Sequence, residues 1–240
     1  MHMYLSLPHD FGISHAIAVV WLFSCWFFYS SLLATFGRGT LNSQLAVVRR
    51  YWMSATTRRL SKPFDAVLLG NMMNSIAFFG SATLIVLAGV LSIFTNVAVI
   101  HGTISGLNLV RAKSIELFAL EIGLLAFILS ICFLSYTYAL RKLIYATALI
   151  GALPDISENC PTHDAMVEST TTVLSEAVQT LNFGIRGYYY TIAMLCIFIS
   201  PHACILATTV GTAVLFYRQL MTPTARAIHA YVEAAKALER

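Results

Sequence analysis

Four long runs of apolar residues set the pattern of the chain: Ser14 to Phe36, Ala66 to Phe94, Ile115 to Tyr138 and Tyr188 to Tyr217. A helix needs about 20 mostly apolar residues to cross the hydrocarbon core of a bilayer, and each run meets that length. The pattern therefore predicts an all-α fold, an integral membrane four-helix bundle forming one domain over residues 1–240. No Lys or Arg precedes the first run and no small-residue cleavage site closes it, so it reads as a retained span and not as a signal peptide.

Shorter periodicities lie between the runs. Wound as a helix, Leu45 to Phe64 gathers Leu45, Val48, Trp52, Leu60 and Phe64 on one side and Arg50, Ser54, Arg58, Ser61 and Lys62 on the other. This is the pattern of an interfacial basic helix, with Arg49 and Arg59 near its apolar side and long enough to snorkel to headgroups. Leu140 to Gly151 carries the third run beyond the membrane with Arg141 and Lys142, and Pro154 stops it. After the polar stretch Asn159 to His163, Met166, Val173, Leu174, Ala177 and Leu181 recur at helical spacing, which predicts a second helix from Asp164 to Asn182. The two form a cytoplasmic helical hairpin. Pro201 falls midway along the fourth run and should kink it, and the residues from Thr222 onward form a short polar terminal helix.

Composition agrees with the pattern. The chain is 58% hydrophobic and 11% charged, against about 25% charged for a soluble domain. Its net charge of +4 comes from basic residues that border the runs, so anionic lipid headgroups, not nucleic acid, are the expected partner. Lys and Arg collect in short cytoplasmic loops. The loops after the first and third runs hold nine basic residues against six on the opposite side, which places the first loop in the cytoplasm of a bacterial inner membrane and both termini outside. If the fourth run were re-entrant around Pro201, the balance would become thirteen against two and the tail would return to the cytoplasm. The five cysteines are scattered, with no Cys-x-x-Cys pair, so neither a disulfide framework nor a zinc site is expected.

The chain carries no His-Glu-x-x-His, Gly-x-Ser-x-Gly or phosphate-binding glycine loop. No catalytic residue, cofactor or metal is therefore expected, and candidate chemistry reduces to polar groups within or beside the spans. Asn71 and Asn74 lie three apart in the second run, as expected of interhelical hydrogen bonding or, with less weight, a transport pathway. Glu121 is a carboxylate at membrane depth near the start of the third run. His202 follows Pro201 and is expected to bond to a carbonyl freed by the kink. Arg186, in NFGIRGYYY, sits at the cytoplasmic boundary beside Gly184 and Gly187, and Asp65 opens the second run at the same level. An Asp65–Arg186 ion pair, with Arg141 as the competing cation, would pin the hairpin to the bundle.

The run RRYWM…RRLSKPFDAVLLGNMMNSIAFFGSAT, the junction YALRKLIYATALIGALP and the segment LNFGIRGYYYTIA resemble, in order and spacing, the family known as domain of unknown function 599. The resemblance covers nearly the whole chain. It implies a multi-span bacterial membrane protein and brings no established activity. The expected role is non-enzymatic, through self-assembly or as a subunit of a membrane complex. A small-solute transporter or channel using Asn71, Asn74, Glu121 or His202 is the alternative, and a lipid-directed enzyme built around Arg186 ranks third. Convergence of the polar side chains on one cavity would favour transport, and their dispersal would favour assembly.

Overall fold

The computed structural model describes residues 8–36, 40–58, 63–105, 113–154 and 161–237. They hold eight α-helices: α1 (Ile13–Phe36), α2 (Leu41–Thr56), α3 (Pro63–Phe94), α4 (Val97–Ser105), α5 (Ile115–Ala152), α6 (Pro161–Leu195), α7 (Pro201–Leu220) and α8 (Pro223–Ala237), with a 3-10 turn at Cys196–Phe198. Among them the stretches Ile13–Thr35, Phe64–Phe94, Ile115–Ala152 and Pro201–Ala237 are long and apolar enough to cross a membrane. The protein is an all-α membrane protein.

Short polar side chains set the helix starts. Thr40 Oγ1 accepts from Ser43 N at 3.3 Å, Ser114 Oγ from Leu117 N at 3.1 Å, Ser200 Oγ from Ala203 N at 3.1 Å and Thr222 Oγ1 from Ala225 N at 3.3 Å. Each bond satisfies one of the N–H groups that a helix start leaves without a partner, a contribution of about 1 kcal/mol. At Ser200 and Thr222 the next residue is proline, whose missing N–H is harmless in the first helical position.

The Ser200-Pro201 pair corrects the expected fourth span. Tyr188 to Tyr217 is not one kinked helix: α6 ends at Leu195 and α7 begins at Pro201. Tyr190 Oη lies 3.1 Å from Thr212 Oγ1, so the chain has reversed and α7 runs back along the end of α6. A helix start was written where the sequence suggested a kink. Two further boundaries differ. The expected break between Asp164–Asn182 and the following span is absent, because α6 runs unbroken from Pro161 to Leu195. The basic helix expected over Leu45 to Phe64 ends at Thr56, and α3 opens at Pro63, a first helical position that proline suits. Expectations for Arg59, Leu60, Ser61 and Lys62 lie outside the described residues, as do Asn159 and Cys160 of the expected polar stretch, whose remainder from Pro161 opens α6.

The chain divides into two compact units, to both of which α1, α3, α5, α6 and α7 contribute. The first takes the described residues of Met1–Ser30, Ala82–Cys132 and Ile185–Val214. Its core holds Leu22, Trp26, Ile122, Leu129, Cys132 and Tyr190, all at most 2% exposed. Trp26 stacks on Tyr190 with ring centroids 6.1 Å apart, and Tyr190 Oη donates to Cys25 O at 3.2 Å, so a large ring is buried with its hydroxyl satisfied.

The second unit takes the described residues of Ser31–Ser81, Phe133–Gly184 and Leu215–Arg240. Met53, Tyr136, Leu143, Leu174 and Val232 are fully buried there, and Tyr136 stacks on Phe79 at 5.8 Å. The terminal helix α8 packs against α2. Polar bonds hold α6 to its neighbours in this unit: Arg49 Nε donates to Ser175 Oγ at 3.0 Å, and Lys142 Nζ donates to Glu176 Oε2 at 3.1 Å and Thr180 Oγ1 at 2.9 Å.

Candidate functional site

The densest polar cluster lies in the first unit, around the start of α5. Lys113 directly precedes the Ser114 cap, and Glu121 follows eight residues later, roughly 9 Å along the helix from its first residue. Lys113 Nζ donates to Glu121 Oε1 at 2.6 Å, to Glu121 Oε2 at 2.9 Å and to Ile197 O at 2.8 Å. All three ammonium hydrogens are thereby used. The Lys113 and Glu121 side chains are only 8% and 1% exposed. Ile197 sits in the 3-10 turn that ends the α6 segment, and a cation is favourable against such terminal carbonyls. On the other side of Lys113, His101 Nε2 donates to its carbonyl at 2.7 Å.

Asp10 closes the cluster from the N-terminal segment. Its Oδ2 accepts from Ser114 N at 2.8 Å and its Oδ1 from Ser114 Oγ at 2.6 Å, a helix cap supplied from 104 residues away. Burial pushes the Asp10 carboxyl up, but the two bonds from Ser114 outweigh it and hold the group below its ordinary value.

His15, one turn into α1, faces the same place. Its Nε2 is 4.0 Å from Glu121 Oε1, too far for a hydrogen bond. Both ring nitrogens are buried without a hydrogen-bond partner among the described residues. A cavity of about 170 Å³ opens here, with Asp10, His15, Lys113 and Ser200 on its wall. Among the described residues no group of three or more His, Cys, Asp or Glu side chains could hold a metal ion.

Of the residues singled out in the sequence, this cluster contains only Glu121. His202, beside it in sequence to Pro201, is exposed at the start of α7. Arg186 belongs to the same unit, where its Nη2 donates to Ser30 Oγ at 3.2 Å and its guanidinium lies 4.8 Å over the Tyr29 ring. Asp65 belongs to the second unit and accepts from Trp52 Nε1 at 2.6 Å, beside a mostly apolar cavity of about 190 Å³ that Thr56, Thr57 and Thr147 also line. Arg141 Nε donates to Tyr145 Oη at 2.8 Å. Arg49 and Lys142 tie α6 to its neighbours within the second unit.

Among the described residues Asn71 and Asn74 bond to no neighbouring helix. Both are exposed on α3, and neither side chain has a hydrogen bond among the described residues. Val67, 60% exposed, and Phe78, 69% exposed, continue the same face.

Asp10, His15, Lys113 and Ser200 carry no signal in the sequence when each is read alone. The available cue was the Lys-Ser step at the start of a span with a carboxylate two turns on, which places an ammonium where a helix interior needs one.

A family described as "Protein of unknown function, DUF599" matches residues 17–224. No curated protein and no solved structure matches the chain.

Proposed function

We propose, for a chain that belongs to the DUF599 family, a non-enzymatic role: a multi-pass protein of the bacterial inner membrane that acts by assembling with a second copy of itself. The exposed Asn71 and Asn74 carry this reading. They stand two to three turns into a span that begins at Phe64. An amide left without partners in hydrocarbon costs roughly 4–8 kcal/mol on a cyclohexane scale. A second copy facing the same surface about a two-fold axis sets amide against amide, and each amide both donates and accepts. Val67 and Phe78 extend the contact above and below the pair.

The alternative, a small-solute pathway, needs the polar groups of the spans to converge. Glu121 is instead tied to Lys113 in the first unit, while Asn71 and Asn74 face outward in the second. The packing of α8 on α2 favours the tail on the side of the basic helix, which gives thirteen basic residues against two and orients that side to the cytoplasm.

Sedimentation in mild detergent tests the assembly. The wild-type chain should sediment as a dimer or higher species, and Asn71→Leu with Asn74→Leu should weaken association by about tenfold or more, since interhelical amide bonds contribute about 1–2 kcal/mol each. A wild-type monomer at all concentrations, or an unchanged dimer in the double variant, would overturn the proposal.

A further inference from the structure

One exposed face of α5, in the second unit, carries a cation, two aromatic hydroxyls and an apolar side chain in depth order. Leu134, Tyr138, Arg141 and Tyr145 follow one another at helical spacing and all are exposed, Leu134 at 62% and Tyr138 at 55%. Counted from Ile115, where this span begins, Leu134 stands about 29 Å along the helix and Arg141 about 39 Å. The hydrocarbon core is about 30 Å thick, and the headgroups bring the bilayer to roughly 40–45 Å. Leu134 therefore meets acyl chains and Arg141 meets headgroups.

Arg141 has a partner that fixes it without neutralising it. Its Nε donates to Tyr145 Oη at 2.8 Å, one turn on, which leaves Nη1 and Nη2 with an N–H each lying parallel. Arg141 makes no ion pair among the described residues. Lys142 adds no free charge, because its ammonium goes to Glu176 and Thr180 on α6 and lies 4.7 Å from the Tyr138 ring. The face thus carries one uncompensated positive charge, and the Tyr145 hydroxyl, whose oxygen accepts from Arg141, keeps its hydrogen to donate. Two parallel N–H groups match two oxygens of one phosphate. A zwitterionic headgroup would also bring an ammonium, for which the nearby carboxylate, Glu176, is already taken by Lys142.

We infer that this face of α5 is a binding site for an anionic phospholipid. Arg141 takes two oxygens of the phosphodiester through Nη1 and Nη2, Tyr145 donates its hydroxyl hydrogen to the headgroup, and an acyl chain lies along Leu134. The net charge of +4 favours anionic lipid around the whole chain; the forked contact gives one such lipid a fixed seat. The site does not depend on the α3 face proposed for assembly.

The test is native mass spectrometry of the full chain in mild detergent, titrated with dioleoyl phosphatidylglycerol or dioleoyl phosphatidylcholine, which share phosphodiester and acyl chains and differ in headgroup charge. Phosphatidylglycerol should occupy its first site about fivefold more tightly, the factor that one basic residue contributes at an anionic surface. Arg141→Gln should abolish that preference, whereas Arg50→Gln, which removes another exposed cation, one bridged to Glu168, should keep it. Sodium phosphate in excess should not displace the lipid, because the acyl chain contributes to binding. Equal binding of the two lipids, an unchanged preference in Arg141→Gln, or equal losses in Arg141→Gln and Arg50→Gln, the sign of diffuse surface charge, would overturn the site. So would displacement by sodium phosphate, which makes a free anion the occupant, or a dimer weakened by Arg141→Gln with the lipid preference intact, which makes it a second copy. Arg141 is exposed, so its replacement leaves the core untouched.

Discussion

Lys113→Met should destabilise the protein by about 3–5 kcal/mol, the largest loss expected of any charge change, because it strands the Glu121 carboxylate without its cation. Glu121 is 1% exposed and both of its oxygens are bonded to Lys113. Glu121→Gln should cost less, since the ammonium keeps Ile197 O at 2.8 Å and gains an amide oxygen. Replacing both residues by methionine should recover most of the single-variant loss, as buried pairs exchanged for apolar side chains of similar volume are often neutral. Unfolding by sodium dodecyl sulfate from mixed micelles, followed by circular dichroism, measures all three. A Lys113→Met variant within about 0.5 kcal/mol of wild type, as for an ordinary surface change, would show that the pair does not hold the first unit together.

Gly187→Ala should follow closely, at about 3 kcal/mol, the upper part of the range for forcing extra atoms into a packed core. A Cβ at Gly187 would fall inside Cys132 Sγ and 2.7 Å from Trp26 Cζ2. Neither neighbour can retreat, since Cys132 and Trp26 are both fully buried and Trp26 is stacked on Tyr190. Cys132→Ala added to Gly187→Ala should restore part of the loss by relieving the closer contact, and the two changes should be strongly non-additive. In the second unit a Cβ at Gly184 would stand 2.8 Å from Tyr136 Cε1, over the face of the ring, a wider approach than at Gly187, so Gly184→Ala should cost less. Thermal unfolding in detergent ranks the variants. A Gly187→Ala protein as stable as wild type would remove the close helix approach as the reason for glycine.

Those glycines show where local sequence reasoning ends. NFGIRGYYY reads as a junction because two glycines and a polar residue interrupt the apolar pattern. In the folded chain they lie mid-helix in α6, and their missing side chains admit Tyr136 in one unit and Trp26 with Cys132 in the other. The loss of helix propensity, about 1 kcal/mol per glycine, is offset by packing that involves residues 48 or more positions away, which no local window contains.

By itself the sequence determined the solvent and the secondary structure of this protein. Runs of apolar residues with 11% charge overall leave the backbone polar groups nowhere to pair in lipid except within helices, so the all-α membrane class and the ends of α1, α3 and α5 follow to within a few residues. The reversal at Pro201 was written there as well, in the Ser-Pro helix start, but hydropathy does not distinguish one long apolar helix from two that fold back. Only the tertiary structure decided which polar groups meet. Glu121 was visible as a buried charge, yet Lys113, Asp10 with His15, and Ile197 come from three segments that chain reversals bring to one place. Asn71 and Asn74 carry the same amides whether they face a neighbouring helix or the bilayer; the rotation of α3 in its packed unit turned them outward, because burying Leu69 and Ile76 on one side of a helix commits the opposite side to whatever lies beyond the chain.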